Sequence, residues 1–187
     1  MKQAEAGKLR LFFMDASHFV HEPYQGGVWT RERKYIRSAS GRKRFNALGA
    51  IDYSSKEVFT ECNETTINSD TVCKLLIRMR KKHKGQKLVV VLDNASYQHC
   101  QQTINCAFLN NIELLFLPSY SPNLNLIERL WKFTKKIILE NKYYDNFNKF
   151  TSAIKTFLKD TSKKYLEQIQ SLINGKIHLF GKEQFLT

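Results

Sequence analysis

Three acidic residues, Asp15, Asp93 and Glu128, stand where apolar segments of the sequence end or begin. Asp15 follows the run LRLFFM, Asp93 follows KLVVVL, and Glu128 lies in the first turn of a predicted helix that is otherwise apolar and basic. Three carboxylates held close together cannot all stay ionised unless a cation offsets their charge. Mg²⁺ suits such a site, because it takes one or two carboxylates together with water and phosphate oxygens. Two such ions can activate the attacking oxygen and stabilise the leaving oxygen in phosphodiester cleavage.

The predicted elements bring these three residues to one edge of a sheet. Apolar runs and turn residues predict five strands, at residues 9–14, 45–51, 57–62, 87–92 and 113–117, with helices at 69–84 and 97–110 and a helical part at 124–174. In open α/β sheets ligands collect at the carboxyl ends of the strands, so Asp15 and Asp93 converge if their strands are neighbours. The 34 residues between Asp93 and Glu128 hold a helix, a strand and a turn, which returns the chain to the same edge.

The order of these elements predicts a single α/β domain over residues 1–187, with a mixed sheet of about five strands and helices on both faces. A polar, basic and aromatic insertion over residues 16–44 is expected between the first and second strands. KLVVVL is apolar and β-branched on both faces, which is typical of a central parallel strand.

Each carboxylate also has a purely structural interpretation. An Asp followed by Asn-Ala often starts a turn or caps a helix. A Glu in the first turn of a helix is favoured by the helix dipole without any further function. The combination of all three in a basic chain favours the metal-site interpretation, with Mg²⁺, or Mn²⁺ in its place, as the expected ion.

The charge of the chain points to a polyanionic partner. It has 30 Lys and Arg against 17 Asp and Glu, a net charge of +13, and nucleic acid is the usual partner for such a surplus. The alternative is a well-solvated basic surface. The candidate DNA contacts lie in the aromatic and basic segment before the second strand and on the helix after Glu128: Arg31, Arg33, Lys34, Arg42, Lys43, Arg44, Lys132, Lys135 and Lys136. For the first group, a solvated hairpin with Trp29 as a packing anchor is an equal alternative.

Other site chemistries find less support in the sequence. The four cysteines form no CxxC pair, which favours reduced thiols in a cytoplasmic protein. The longest aliphatic run, residues 88–92, is too short to span a bilayer. His18 and His21 have a spacing that suits zinc, and His99 follows Asp93 by six residues, but no further ligands complete a tetrahedral set.

Three segments, FMDASHF, VLDNASYQH and LPSYSPNLNLIERLWKFTKK, resemble the signature blocks of DDE transposases. They are most similar to the mariner-like superfamily and its bacterial insertion-sequence branch, and the third block is the most specific. The resemblance extends from Leu9 to the C-terminal helices and implies a ribonuclease H-like fold. It implies that Asp15, Asp93 and Glu128 are the catalytic triad, and that the site is shaped by Asn94, Pro122 and Asn125.

The function implied by this resemblance is metal-dependent DNA strand cleavage and strand transfer in cut-and-paste transposition of an insertion sequence. The expected partners are double-stranded DNA, as element ends and target, and a second copy of the chain, in the nucleoid of a bacterial cytoplasm. Family members usually carry helix-turn-helix domains before the first catalytic strand, whereas eight residues precede Leu9 here. We therefore expect an upstream reading frame to supply that domain, or a separately encoded or truncated catalytic half.

Other functions stay open on the sequence alone. A ribonuclease H-like nuclease or resolvase would cut without joining, and an inactive or domesticated remnant would bind DNA without cutting it. A phosphatase with Asp15 as nucleophile is disfavoured, because MDAS lacks the second Asp two residues on that such a site pairs with the first.

Overall fold

A computed structural model of the chain describes residues 1–21, 43–118 and 124–174. The elements follow one another in the order α1 (Lys2–Glu5), β1 (Arg10–Val20), β2 (Arg44–Asp52), β3 (Val58–Asn63), α2 (Ser69–Lys82), β4 (Leu88–Leu92), α3 (Gln101–Leu109), β5 (Ile112–Phe116), α4 (Ile127–Ile138), α5 (Phe147–Lys164) and α6 (Leu166–Leu172). Within these ranges, no helix has the length and apolar character that crossing a lipid bilayer requires.

The five strands form one mixed sheet in the order β3-β2-β1-β4-β5. β1 is the central strand: it pairs antiparallel with β2 and parallel with β4, and β4 pairs parallel with β5. β2 and β3 pair antiparallel as a hairpin, with Ile51 opposite Val58. All five residues of β4 are buried, as expected for an interior parallel strand. The predicted mixed sheet of about five strands is therefore confirmed.

Helices cover both faces of the sheet, which is also as predicted. Because successive side chains of a strand point to opposite faces, Leu11 and Phe13 join the core formed with α4, α5 and α6. Phe12 and Met14 point the other way, into the core formed with α2 and α3. β1 is thus buried on both sides, and its position is fixed by the packing of two separate cores.

Side-chain hydrogen bonds explain where α2 and α3 begin. The side-chain oxygen of Asn68 accepts a hydrogen bond from the backbone N–H of Thr71 at 3.0 Å, which starts α2 at the predicted place. The helix predicted from Tyr97 instead begins at Gln101, so this boundary was wrong by four residues. The reason is local. The carbonyl of Tyr97 accepts a hydrogen bond from the Thr103 hydroxyl at 2.9 Å in place of a helical backbone hydrogen bond.

The first strand is longer than predicted, which corrects the expected placement of Asp15. β1 continues past Asp15 to Val20, so this carboxylate lies within the strand and not beyond its end. The extension is stabilised by β2, which stays paired with β1 as far as Val20 opposite Arg44. The insertion expected at residues 16–44 is therefore shorter at both ends.

A close contact between Gly49 and Trp131 joins the β1–β2 pair to α4. Gly49 lies opposite Asp15 in the β1–β2 register. A Cβ added to Gly49 would lie 2.7 Å from Cη2 of Trp131, so only glycine lets the indole ring approach this closely. Phe19 packs edge-on against the same ring, with centroids 6.2 Å apart. The contact sets the distance between α4 and the strand that carries Asp15.

We predict that Gly49→Ala lowers the free energy of unfolding by about 1–3 kcal/mol, because the added methyl group overpacks against Trp131. Urea denaturation followed by circular dichroism measures the loss. A Gly49→Ala/Trp131→Phe double variant is the control, since phenylalanine lacks the ring atoms that would clash. Strictly additive losses in the two single variants and the double variant would contradict the predicted contact.

Candidate metal-binding active site

Asp15 and Asp93 lie side by side at one edge of the sheet. The parallel β1–β4 pairing places Phe13 opposite Val91, and continuing this register by two residues brings Asp15 opposite Asp93. Phe13 and Val91 both belong to the core beneath α4, so the two carboxylates share the face that α4 covers. β4 ends at Leu92, so Asp93 follows its strand directly, as predicted.

Glu128 reaches the same face from the first turn of α4. Leu126 and Ile127 are fully buried and hold the start of this helix against the sheet. The backbone N–H of Glu128 donates to the carbonyl of Asn125 at 3.1 Å, while no side chain caps α4. The carboxylate therefore lies at the positive end of the helix dipole, next to the two aspartates.

The pKa shifts show that the three carboxylates act on one another. The pKa of Asp15 is raised from 3.8 to about 7, mainly by burial and in smaller part by the charges of Asp93 and Glu128. Burial also raises the pKa of Glu128, again with a contribution from Asp93. Each of the three pairs is thus within electrostatic reach. Since neither burial nor like charge favours an ionised Asp15, the site lacks positive charge.

Two lysines of α4 offset part of this deficit. The ammonium group of Lys135 lowers the pKa of Asp15, and that of Lys132 lowers the pKa of Glu128. Lys135 Nζ also lies 5.9 Å from the centroid of the Phe19 ring. The i, i+4, i+7 and i+8 spacing of Glu128, Lys132, Lys135 and Lys136 predicts that they share one side of the helix, and the effects of Lys132 and Lys135 on the carboxylates agree with this. Lys132 and Lys136 also line a groove beside α6.

The basic segment before β2 is only partly described. Arg31, Arg33, Lys34 and Arg42 lie outside the described residues, so their expected DNA contact stays a prediction. Lys43 and Arg44 are exposed, and Lys43 Nζ lies 5.6 Å from the centroid of the Phe147 ring. Arg44 is five ladder positions from Gly49, roughly 17 Å along the strand. These two side chains lie at a distance from the carboxylates.

Two asparagines named in the sequence analysis connect the elements around the site. The side chain of Asn94 donates to the carbonyl of Leu117 at 2.8 Å, which links the ends of β4 and β5. Asn125 Nδ2 donates to the carbonyl of Met14 at 3.0 Å, just where β1 leaves its pairing with β4. Asn125 Oδ1 is buried and has no hydrogen-bond partner. Pro122, the third residue named, lies outside the described residues.

Two contributors to the site were not predicted from the sequence. The pKa of Tyr97 is raised to about 12, mainly by burial and in smaller part by the nearby charges of Asp15 and Asp93. Tyr97 therefore stays a neutral hydrogen-bond donor beside the carboxylates. The other is Gly49, whose place inside the apolar strand FNALGAI is a known sign of close backbone approach.

The donor set fits a hard divalent cation. Within residues 1–21, 43–118 and 124–174, no three His, Cys, Asp or Glu side chains are already gathered closely enough to hold a metal ion. Mg²⁺ does not require such a cage, because one or two carboxylates, water and substrate phosphate complete its shell. A partly buried carboxyl group with a pKa near 7 beside two other carboxylates is a site that such a cation would stabilise.

The histidines considered for zinc each have a separate neighbour. His18 Nδ1 lies 2.7 Å from the side-chain oxygen of Asn46, and His21 Nε2 lies 3.0 Å from the carbonyl of Tyr144. His99 packs edge-on against Phe116, with ring centroids 4.5 Å apart. The three histidines therefore contact different parts of the described structure.

We predict that Asp15 makes the metal-free protein less stable as the pH rises. Between pH 3.8 and about 7 the folded protein keeps a proton on Asp15 that the unfolded chain has lost. This stabilisation is complete below pH 3.8 and is lost as the pH passes the folded-state pKa. In EDTA, the free energy of unfolding should fall by up to about 4 kcal/mol over this range through Asp15, and Asp15→Asn should remove that component.

Urea denaturation at a series of pH values measures this effect. Asp145→Asn is the matched control, because Asp145 is exposed and its pKa is lowered by a hydrogen bond to Lys149. The control should keep the fall in stability that Asp15→Asn removes. Identical pH profiles for wild type and Asp15→Asn would show that Asp15 is not in the environment described here.

Comparison with known proteins identifies the family and the fold. The family profile of DDE superfamily endonucleases matches residues 10–151. The fold is similar to the catalytic domain of Mos1 mariner transposase, with a TM-score of 0.64, 14% identity, and coverage of 92% of this chain and 81% of that one. It is also similar to the chain in the Mos1 strand transfer complex, with a TM-score of 0.65, 16% identity, and coverage of 92% and 54%.

A curated relative shares part of the sequence. It is the uncharacterized protein y4pE/y4sA of Sinorhizobium fredii (strain NBRC 101917 / NGR234), 32% identical over 69 residues, which is 37% of this chain and 49% of that protein. The chain thus spans about half the length of this relative and of the Mos1 chain in the strand transfer complex. The expected ribonuclease H-like fold is confirmed by the likeness to the Mos1 catalytic domain. From the match over residues 10–151, the chain belongs to the family of DDE superfamily endonucleases.

Proposed function

We propose that this chain is the catalytic domain of a transposase that cleaves DNA at the ends of an insertion sequence and joins the freed 3′-hydroxyl to target DNA. The observation that carries the proposal is the mutual electrostatic action of Asp15, Asp93 and Glu128 on the one sheet face that α4 covers. These residues come from a central strand, a strand end and a helix start, as the family's three blocks require. They are proposed as the catalytic triad.

The same three carboxylates are the proposed ligands of Mg²⁺, with Mn²⁺ as a substitute. When bound, two such ions would activate the attacking oxygen and stabilise the leaving oxygen of the phosphodiester. Mos1 paired-end complexes with Mn and with Mg share this chain's fold, which supports the choice of ion. The raised pKa of Asp15 supports it independently, because a cation would restore the ionised form of that carboxyl group.

The chain's own side chains orient the reacting DNA. Lys132 and Lys135 present ammonium groups beside Glu128 and Asp15, where they attract the phosphates next to the scissile bond. Tyr97 stays protonated near both aspartates and can donate its hydroxyl proton in a hydrogen bond to a phosphate oxygen. Asn125 ties the start of α4 to the carbonyl of Met14, which keeps Glu128 in register with Asp15.

The proposed partners follow from the need to bring element ends and target together. Double-stranded DNA is the substrate, and a second copy of the chain would hold the other element end. Recognition of a specific end would fall to a helix-turn-helix module, supplied by a separate or upstream-encoded polypeptide. The protein would act in the bacterial nucleoid.

We predict that Asp93→Asn lowers Mg²⁺-dependent cleavage by at least about 100-fold, because it removes a metal ligand. DNA binding should be unchanged or stronger, since the variant also removes a negative charge near phosphate. The assay incubates labelled duplex carrying the element ends with wild type and variant in Mg²⁺ and in Mn²⁺. Nicked and joined products are then separated on denaturing gels.

Glu113→Gln is the matched control, because Glu113 is an exposed carboxylate on β5 of the same sheet. Cleavage by the Asp93→Asn variant at the wild-type rate would refute the triad. Nicked but never joined product from wild type would instead identify a nuclease that cuts without strand transfer. Binding with no cleavage in either metal would identify a DNA-binding protein without catalytic activity.

A further inference from the structure

A groove of about 580 Å³ runs between α4 and α6. Arg129, Lys132 and Lys136 line it on α4, and its apolar lining residues are Phe133, Ile137 and Leu172. The carbonyl of Leu172 accepts a hydrogen bond from Arg129 Nη1 at 2.7 Å, which ties α6 to α4 across the groove. This hydrogen bond therefore helps to hold the two helices that form the groove in place.

The groove adjoins the candidate active site along α4. Lys132 lines the groove and lies one helical turn after Glu128, so one side chain borders both places. Lys136 follows one turn later on the same helix and is exposed. Among the described residues that line the groove, none is acidic. A chain of phosphates leaving the carboxylates would meet these cations next.

The apolar surface of the groove is what distinguishes it from an ordinary basic patch. The ring of Phe133 is held in place by Tyr165 and Phe157, with centroids 5.8 and 5.9 Å away. Since two aromatic neighbours fix this ring, it can receive a flat ligand without first losing rotamer freedom. Duplex DNA presents only phosphates and groove edges to a protein, whereas an unstacked base presents an apolar face.

We propose that this groove is a subsite for single-stranded DNA next to the cleaved bond. One unstacked base lies against Phe133, Ile137 and Leu172, and the flanking phosphates contact Lys132 and Lys136. The inference rests on the proposed function for its choice of DNA as ligand, and it goes beyond that function by assigning a base-binding site outside the carboxylates. Double-stranded ends that open at the cleavage point would supply such a strand.

Fluorescence anisotropy in EDTA tests the subsite without any cleavage. The probes are a fluorescein-labelled oligodeoxythymidylate of about 12 nucleotides and an abasic oligonucleotide of the same length, which keeps the phosphates and lacks the bases. We expect wild type to bind the thymidylate probe about tenfold more tightly than the abasic probe. Phe133→Leu should reduce this ratio several-fold. Equal binding of both probes by wild type would overturn the proposal.

Two charge variants on α6 test the subsite without changing Phe133, which also packs against Phe157 and Tyr165. Gln168 lines the groove, whereas Gln170 is exposed on the same helix outside it. Gln168→Glu and Gln170→Glu change the net charge equally, so general repulsion of DNA is the same in both. We expect Gln168→Glu to weaken thymidylate binding about tenfold more than Gln170→Glu. Equal losses would overturn the subsite.

A glutamate-rich peptide used as a competitor tests the other occupant that the charge would allow. Displacement of the thymidylate probe from wild type, but not from Gln168→Glu, at equal concentrations of peptide and DNA would assign the groove to an acidic polypeptide and overturn the proposal. The inference and the proposed function can fail separately. If wild type prefers the thymidylate probe as expected but does not cleave DNA, only the transposase activity is refuted. If wild type cleaves DNA but binds both probes equally, only the subsite is refuted.

Discussion

Mutual repulsion among Asp15, Asp93 and Glu128 is the constraint around which the described part of the molecule is arranged. Carboxylates that were free to move would separate or remain protonated. The pKa of Asp15, which burial raises most and the charges of Asp93 and Glu128 raise in addition, shows the second response. The fold limits the first response, because Asp15 lies in a central strand packed on both faces. Glu128 lies on a helix whose distance from that strand is set by the contact of Trp131 with Gly49. Packing thus holds together groups whose charges oppose the arrangement.

Much of this arrangement could be predicted from local sequence patterns. The run LVVVL is apolar throughout and stops at a polar residue, so the position of Asp93 after a buried strand was foreseeable. The i, i+4, i+7 and i+8 spacing of Glu128, Lys132, Lys135 and Lys136 on an amphipathic helix also predicted a shared side. These predictions succeed because each depends on residues that are close together in the chain.

The errors arise where distant residues decide the outcome. Asp15, Ser17 and His18 interrupt the apolar run that predicted the first strand, but pairing with β2 supplies the hydrogen bonds that continue β1 to Val20. The importance of Gly49 depends on its register opposite Asp15 and on a tryptophan 82 positions later in the chain, neither of which a local pattern contains. Tyr97 approaches the aspartates because the chain turns after Asp93 and the helix begins late.

The uneven pairing of β1 has a consequence for how such a domain can diversify. Its parallel ladder with β4 stops at Phe13, whereas its antiparallel ladder with β2 runs on to Val20. Five ladder positions therefore separate Asp15 from the point where the chain leaves the sheet. Changes of length or composition in the segment that joins β1 to β2 are mechanically insulated from the carboxylate by that rigid ladder. Substrate preference could then evolve at this connection while the reaction geometry stays unchanged.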